Sequence, residues 1–332
     1  MTVHTIARMD AYDSVPVLTH GEPEFGDQHN ARDVWVFEHD GLFFMHYDAA
    51  GADGWLSALA TSVDGVHWTK HGPILQLGSV DSQDSASASY GTTFYDGDRW
   101  HMFYLGTPNV TNDELKTPSF PYMTMKAEAS HPAGPWRKRP DIVPFVAEAG
   151  SWYSDTASPG CVVRYDGEFI MLFSAATTAQ DGRILRTLGV ARTRDLDSTW
   201  QVDPEPLLPL DEQIENSSLY YEPANGLWFL FTNHIGDESG WDPVPPQNTS
   251  EFTDSILVYW SADPTKFDAE RKAVVVDAQN AEWTPRIVGL PSVLPIGDRL
   301  AVYFDGALND TIEHGGRDIG VAYLDLPLEP PV

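Results

Sequence analysis

A strand–turn–strand unit recurs five times along the 332-residue sequence, and this recurrence constrains the fold more than any other feature. In its clearest copy, ENSSLYYEPANGLWFLFTNHIG, the turn Pro223–Gly226 separates two strands. The second strand is almost wholly apolar and aromatic, which is typical of a strand buried on both faces. The other four copies are built around the turn glycines Gly41, Gly97, Gly167 and Gly297.

Repeats of about 45–70 residues that hold up to four strands each are typical of β-propellers. We therefore predict an all-β, single-domain, five-bladed β-propeller over residues 32–332, in which neighbouring blades bury each other's aromatic strands. Residues 1–31 are expected to be an irregular N-terminal segment. A TIM barrel is excluded because it needs eight amphipathic helices, and no stretch has the apolar period of a helix. The expected blades are residues 32–78, 84–142, 155–208, 215–277 and 286–326.

The composition excludes some partners. The formal net charge is −29, whereas nucleic acids and anionic membrane surfaces require basic patches, so we expect neither as a partner. Cys161 is the only cysteine, so no intrachain disulfide can form. The first 20 residues lack the apolar core of a signal peptide, and no run of 18 apolar residues occurs. We expect a soluble, cytoplasmic protein, and the sequence leaves its oligomeric state open.

The residues that open the innermost strands are the candidate site. Inner strands of a propeller run along the central axis, so their first residues are expected to surround one pocket. Counting back 8 to 13 residues from the turn glycines reaches four acids and one arginine, and these are Asp33, Asp84, Asp155, Glu215 and Arg286. Any one of these acids could simply hold a turn. As a set at equivalent places in five blades, they predict a functional pocket.

Carboxylates gathered in an aromatic-lined pocket fit the cleavage of glycosidic bonds. One carboxyl group must donate a proton to the leaving oxygen, while a second must be ionised to activate water or attack the sugar. Neighbouring carboxylates raise the pKa of the proton donor because like charges resist ionising together. Two alternatives stay open: a non-catalytic sugar-binding propeller, and a glycoside phosphorylase, which would need a basic cluster for phosphate.

The sequence resembles the five-bladed propeller glycoside hydrolases over about residues 30–325, chiefly family 43, with relatives in families 62, 32, 68, 117 and 130. The resemblance implies that Asp33, in RDVWVF, is the general base. It implies that Glu215 is the general acid, since this acid matches the pattern E-x-P-x-[LI]-Y through Leu219 and Tyr220. Ser217 stands where the pattern has proline. The fold and an oligosaccharide substrate follow from the same resemblance.

Further site residues are implied by the same families. Family 43 has an aspartate in blade three that tunes the acid and directly precedes a proline. Here Ser158 takes that place, and Asp155 is the nearest acid. The resemblance to family 117 implies a histidine as an alternative acid, for which His234 and His314 are candidates, the latter with Arg317 close by in sequence. The structural alternative for each histidine is a surface or hydrogen-bonding role.

Aromatic side chains and two long loops complete the predicted pocket. Sugar stacking is expected from some of a set whose alternative role is blade packing: Trp35, Trp55, Tyr90, Trp152, Tyr153 and Trp241. The loops Pro108–Pro121 and Gly236–Thr253 are long for connections within a blade and are expected to narrow the pocket, which favours exo-action on a terminal sugar. Substrate binding is expected from Asp84, Arg286, His234, His314 and Arg317, besides the aromatic residues Trp152 and Tyr90. No metal is predicted, although the resemblance is compatible with a structural calcium ion on the axis, held by Asp84 or His314.

Overall fold

The computed structural model describes residues 6–236, 252–311 and 313–331, and these form an almost entirely β structure. Two strands precede the first blade, β1 (Ala7–Arg8) and β2 (Tyr12–Leu18). Two 3₁₀ turns are also present, at Pro23–Phe25 and Leu210–Glu212. No helix in the described part of the chain is long and apolar enough to span a membrane.

Five antiparallel sheets follow the order of the sequence. Blade one consists of β3 (Asn30–His39), β4 (Leu42–Gly51), β5 (Gly54–Ser62) and β6 (Thr69–Pro73). Blade two consists of β7 (Ser87–Tyr95), β8 (Trp100–Thr107), β9 (Tyr122–Ala129) and β10 (Arg137–Lys138). Blade three consists of β11 (Thr156–Tyr165), β12 (Glu168–Thr178), β13 (Ile184–Thr193) and β14 (Gln201–Val202).

The last two blades have the same order of strands, and each gains a strand from the N-terminal segment. Blade four consists of β15 (Ile214–Glu222), β16 (Leu227–Ile235), β17 (Thr253–Ser261) and β18 (Lys272–Asp277). Blade five contains β19 (Ser292–Ile296), β20 (Arg299–Gly306) and β21 (Asp318–Asp325). Strand β2 pairs with β21 and is therefore the fourth strand of blade five. Strand β1 pairs with β18 at the outer edge of blade four.

The pairing of β1 and β2 corrects the prediction that residues 1–31 are irregular. Val15 lies opposite Val321, so the first part of the chain closes the last blade. The sequence YDSVPVL conceals this strand because it contains Asp13 and Pro16. Both residues are tolerated here because β2 is an edge strand, where one row of backbone groups needs no partner strand.

The inner strands form a closed ring, which confirms the five-bladed β-propeller. Each of them contacts the next, in the order β3, β7, β11, β15, β19 and back to β3. Side-chain hydroxyls also link inner strands of neighbouring blades. The backbone N–H of Cys161 donates to Ser217 Oγ at 3.0 Å, and that of Val36 donates to Ser292 Oγ at 2.8 Å. The inner ends of all five blades therefore meet around one axis.

The core lies between blades, as the aromatic second strands predict. Phe103 of β8 and Phe173 of β12 share one buried cluster, and Phe229 of β16 and Phe304 of β20 share another. All four are fully buried. Burying such a side chain contributes roughly 1.5–3 kcal/mol, so the blades stabilise one another through these faces.

Candidate active site

Four of the five inner strands contain a β-bulge near their first residues. The register shifts lie between Arg32 and Trp35, Ser89 and Gly91, Ser158 and Cys161, and Glu215 and Ser218. In three blades a residue within the bulge has a left-handed backbone: Asp33 (φ 50°), Tyr90 (φ 34°) and Asn216 (φ 59°). Such conformations cost energy in residues other than glycine, and bulges redirect side chains. Here they surround the same end of the axis.

A cavity opens among these bulges. Its wall includes ionisable and phenolic side chains from blades one to four and from the loop that precedes β21. The side chains on this wall that could take part in catalysis or binding are Asp33, Asp48, Tyr90, Arg186, Glu215 and His314. Of the predicted site residues, the structure thus brings Asp33, Glu215, Tyr90 and His314 together.

Asp33 lies on the blade-one side of the cavity and is held from two directions. The guanidinium of Arg32 lies 3.1 Å from Asp33 Oδ1. The backbone N–H of Asp33 donates to Asp305 Oδ1 at 3.3 Å, and Asp305 Oδ2 accepts a hydrogen bond from Arg317 at 2.8 Å. Arg317 is fully buried and does not line the cavity, so it supports the site through Asp305 instead of binding substrate as predicted.

Glu215 faces the same cavity from blade four. Its Oε2 lies 3.5 Å from Arg186 Nε, and its Oε1 accepts a hydrogen bond from Asn233 Nδ2 at 3.4 Å. Asn233 is held in turn by the Asn216 amide at 2.9 Å. The Glu215 side chain is 15% exposed, so it remains accessible to a ligand. Arg186 was missed in the sequence, although a lone arginine in the buried strand ILRTLGV is a usable signal.

Asp48 is a third carboxyl group on the cavity wall, and it too was missed in the sequence. It lies on β4 directly opposite Arg32, is almost fully buried, and accepts a hydrogen bond from the backbone N–H of Tyr90. Burial raises its pKa well above the usual value, and the neighbouring charge of Asp33 raises it further. An acid inside the apolar run FFMHYDAA is the signal that could have identified it.

Tyr90 lines the cavity from blade two. The ring is buried, and among the described residues its Oη has no hydrogen-bond partner. Burial raises the pKa of Tyr90 well above its usual value, and the charges of Asp33 and Glu215 contribute. Thr156 Oγ1 is also buried on the wall without a partner in the described structure. Buried hydroxyls normally find partners, and sugar hydroxyls could supply them.

His314 reaches the cavity from the loop before β21, as the sequence predicted. Its ring lies against Trp55, with centroids 5.2 Å apart, and its Nε2 lies 2.9 Å from Arg32 Nη1. Burial lowers its pKa well below the usual value, and the charges of Arg32 and Arg317 act in the same direction. The ring is therefore neutral at neutral pH and accepts a hydrogen bond from Arg32, which disfavours it as a proton donor.

The structure does not place Asp84 or Asp155 on the cavity wall, so position does not support their predicted role in the site. Asp84 accepts hydrogen bonds from Tyr104 Oη at 2.7 Å and Lys138 Nζ at 2.5 Å and is held inside blade two. Asp155 accepts a hydrogen bond from Thr178 at 2.6 Å at the end of blade three. Both lie before the strands they were expected to open, so the bulges do not redirect them.

Arg286 and His234 also lie away from the cavity wall. Arg286 forms an ion pair with Asp310, and His234 Nδ1 lies 2.8 Å from Asp254 Oδ1. Their expected role in substrate binding is therefore not supported by position. The cavity wall does contain arginines, but these are Arg32 and Arg186 and not the predicted Arg286.

The aromatic candidates divide into wall and core residues. Trp55 and Tyr90 line the cavity, whereas Trp152 stacks on Phe173 in the core between blades two and three. Trp35 and Tyr153 also belong to hydrophobic clusters. Phe120, from the predicted loop Pro108–Pro121, lines the cavity. Trp241 and most of the second predicted loop lie outside the described residues.

The calcium ion that the resemblance allows has no matching ligand set. Among the residues that the structure describes, no three His, Cys, Asp or Glu side chains are grouped so that they could hold a metal. Asp84 is paired with Lys138, and His314 contacts Arg32. Cationic neighbours oppose binding of a cation, so neither residue fits a calcium site.

Comparison with known proteins supports the fold. No protein-family model matches the sequence, and no curated protein matches it. A solved structure described as an RGII complex superposes with a TM-score of 0.72 at 14% identity, covering 98% of this protein and 96% of the other. The protein has the fold of propeller glycoside hydrolases.

Two further structures show how widely this fold is shared. A thermostable family-43 glycoside hydrolase superposes with a TM-score of 0.64 at 12% identity, covering 92% of this protein and 95% of the other. A family 117 glycoside hydrolase from Zobellia galactanivorans superposes with a TM-score of 0.63 at 14% identity, covering 97% of this protein and 93% of the other. At such identities the similarity establishes the fold, while the chemistry must be argued from the cavity.

Proposed function

We propose that this protein is a glycoside hydrolase whose acid–base pair is Asp33 and Glu215. One observation carries the proposal: two carboxyl groups from blades one and four face a single cavity, each beside an arginine. Both are partly accessible, with 16% and 15% of their side chains exposed. Glycoside cleavage by general acid–base catalysis requires two such carboxyl groups at one site.

The contacts of the two carboxyl groups support a division of roles. Arg32 lies closer to Asp33, at 3.1 Å, than Arg186 lies to Glu215, at 3.5 Å. The closer ion pair suits an ionised base, so we assign Asp33 as the base. Glu215 accepts a hydrogen bond from the neutral amide of Asn233, and we assign it as the proton donor. The resemblance to family 43 implies the same roles.

In the proposed reaction, Glu215 donates its proton to the glycosidic oxygen as the bond to the anomeric carbon breaks. Asp33 removes a proton from the water that attacks this carbon, or attacks it directly. The separation of the two carboxyl groups along the bound sugar decides between inversion and retention. The anomeric form of the first product, read by NMR, distinguishes the two routes.

The shape of the cavity supports exo-action on a terminal sugar of an oligosaccharide. Phe120 and Tyr122 line one side, Trp55 and His314 contribute to the wall, and Tyr90 places its buried hydroxyl within it. The structural neighbour described as an RGII complex is consistent with a carbohydrate ligand.

A glycoside phosphorylase is the second candidate, and one observation favours it. Arg32 and Arg186 both line the cavity, and arginine is well suited to binding phosphate. Each of them also contacts a carboxylate of the proposed pair, which makes them less suited to hold an additional anion. Hydrolysis is therefore the first proposal.

A substrate screen tests both candidates. Aryl glycosides and plant and algal oligosaccharides are incubated with wild type, Glu215→Gln and the control Asp84→Asn, with and without phosphate. We expect phosphate-independent release of a terminal sugar, at a rate reduced at least about 100-fold in Glu215→Gln and retained by the control. A phosphate requirement would support the phosphorylase. Sugar binding without cleavage, or full activity of Glu215→Gln, contradicts the proposal.

A further inference from the structure

We propose that Asp48 is a positioning residue that carries a proton at neutral pH and donates it in a hydrogen bond to Asp33. The role in catalysis rests on the proposed function, whereas the protonation does not. Asp33 and Asp48 would then share one negative charge, with the proton on Asp48.

The contacts of Asp48 define which oxygen can hold the proton. Its Oδ1 accepts the backbone N–H of Tyr90, the residue with left-handed backbone at the bulge of blade two. Its carboxyl group lines the same cavity as that of Asp33, and Arg32, the register partner of Asp48, lies 3.1 Å from Asp33 Oδ1. We therefore place the proton on Oδ2, from which it can be donated to Asp33. The left-handed backbone of Tyr90 thus supplies the N–H that fixes Oδ1 of Asp48.

Arg32 is the register partner of Asp48, and it also contacts other groups. On β3 its register partner is Arg32, which precedes Asp33; on β5 its register partner is the neutral Ser57; and on β7 it meets Tyr90. Arg32 is in contact with Asp33 and with His314. With both groups ionised, two carboxylates would lie near the same guanidinium, and the one on Asp48 would be almost fully buried. One proton on Asp48 removes this repulsion, and its side chain is almost fully buried.

A protonated Asp48 would orient the base. The hydrogen bond from Asp48 would hold one oxygen of Asp33 in place, while Arg32 contacts Oδ1. It would also leave Asp33 as the ionised member of the pair, ready to accept a proton from water. In this scheme Asp48 acts on the reaction through Asp33.

The protonation is tested without any substrate. Aspartate carboxyl carbons are labelled with ¹³C, and the Asp48 resonance is assigned by its loss in Asp48→Asn. At pH 7 we expect Asp48 to have the chemical shift of a neutral carboxyl group. On raising the pH, this group should titrate only above the usual aspartate range. The shift of an ionised carboxylate at pH 7 overturns the proposal. Because this readout needs no activity, its outcome is independent of whether the protein is a glycosidase.

The positioning role is tested by a matched pair of variants on the substrate found in the screen. Asp48→Asn keeps the shape and supplies an amide donor in place of the proton, whereas Asp48→Ala removes the donor. We expect kcat within about fivefold of wild type for Asp48→Asn and at least about tenfold lower for Asp48→Ala. Equal losses in both variants, with both folded by circular dichroism, contradict the role. If wild type cleaves nothing, the proposed function fails while the NMR result still stands.

Discussion

Blades one and four differ from blades two and three in how they present acids to the axis. Asp33 is itself the bulged residue of β3, and Glu215 directly precedes the bulged Asn216 of β15. In blade two the bulged residue is Tyr90, and Asp84 lies six positions before it. The first two acids reach the cavity and Asp84 does not. The bulge, and not the distance from the following turn, decides which side chain enters the site.

The physical reason is the two-residue period of a strand. Successive side chains point to opposite faces, so a displacement of one residue moves a side chain to the other face. A left-handed residue inside a bulge breaks this alternation and redirects one side chain along the axis. Blade five has no bulge in the pairing of its inner strand β19, and it contributes to the cavity through the loop residue His314.

Substitution of the acid at the first bulge is the largest expected effect. Asp33→Asn should lower kcat by about 10²–10⁴-fold, the range for loss of a general base, because an amide cannot accept the proton of water. The assay uses the substrate from the screen and monitors folding by circular dichroism. Asp155→Asn, the matched control from blade three, should retain wild-type activity. Comparable losses in both variants would break the distinction between bulged and unbulged positions.

The second expected effect is a loss of folding stability at acid pH, caused by His46 in blade one. His46 lies opposite Trp35, which follows the bulge, and is fully buried with its Nε2 3.2 Å from the Pro132 carbonyl. Burial lowers its pKa to about 4. The unfolded chain takes up this proton near pH 6.5 and the folded chain does not, so stability is lost as pH falls between these values.

This single group should remove about 3 kcal/mol of unfolding free energy between pH 7 and pH 4. Urea unfolding at several pH values measures the effect, with His46→Gln as the non-titrating variant. The variant should lose less stability than wild type over this interval. Parallel pH profiles for the two proteins would show that His46 does not stay neutral in the fold.

Substitution of Asp84 in blade two should lower stability and leave activity nearly unchanged, whereas substitution of Asp33 should lower activity. Asp84→Asn weakens the contacts with Lys138 and Tyr104, and we expect a loss of about 1–3 kcal/mol of unfolding free energy. The kcat of the folded protein should stay within about twofold of wild type, since no contact with the cavity is lost. Chemical denaturation and initial rates measure the two quantities. A large fall in kcat at unchanged stability would return Asp84 to the site.

The smallest effect is expected at Asp155. Its carboxylate accepts a hydrogen bond from Thr178, whose side chain is exposed. Asp155→Ala should cost at most about 1 kcal/mol of stability, because an exposed hydrogen bond is readily replaced by water. Thermal unfolding compared with Thr178→Val measures the contact from both partners. A loss well above this value in either variant would mean that the start of β11 depends on this bond.

The fold was predictable because the sequence repeats one structural unit, whereas two of the six side chains named at the site, Asp48 and Arg186, were not predicted. Five strand–turn–strand units with aromatic strands require a radial arrangement, and the resemblance to family 43 indicated Asp33 and Glu215. Asp48 and Arg186 lie on a second and a third strand, where no count from the turns reaches them. Their signal is a charge within a buried apolar strand. Charged residues are almost never fully buried without a partner, so such a position points toward a site.

The N-terminal strand shows a second limit of sequence reasoning. Strand β2 becomes a strand only because the exposed edge of β21 needs a partner. This pairing joins residues about 300 positions apart, with Tyr12 opposite Tyr323. Local composition cannot report such a contact, because its stability comes from the closed ring of blades and not from the segment itself.

The most direct test is a crystal structure of Glu215→Gln with the oligosaccharide that wild type cleaves. We predict that the terminal sugar occupies the cavity between blades one and four. Its glycosidic oxygen should lie within hydrogen-bond reach of the substituted side chain, and its anomeric carbon should face Asp33. An oligosaccharide bound elsewhere, for example beside Arg286 and His234 at the blade-four side, would contradict the assignment of this cavity as the active site.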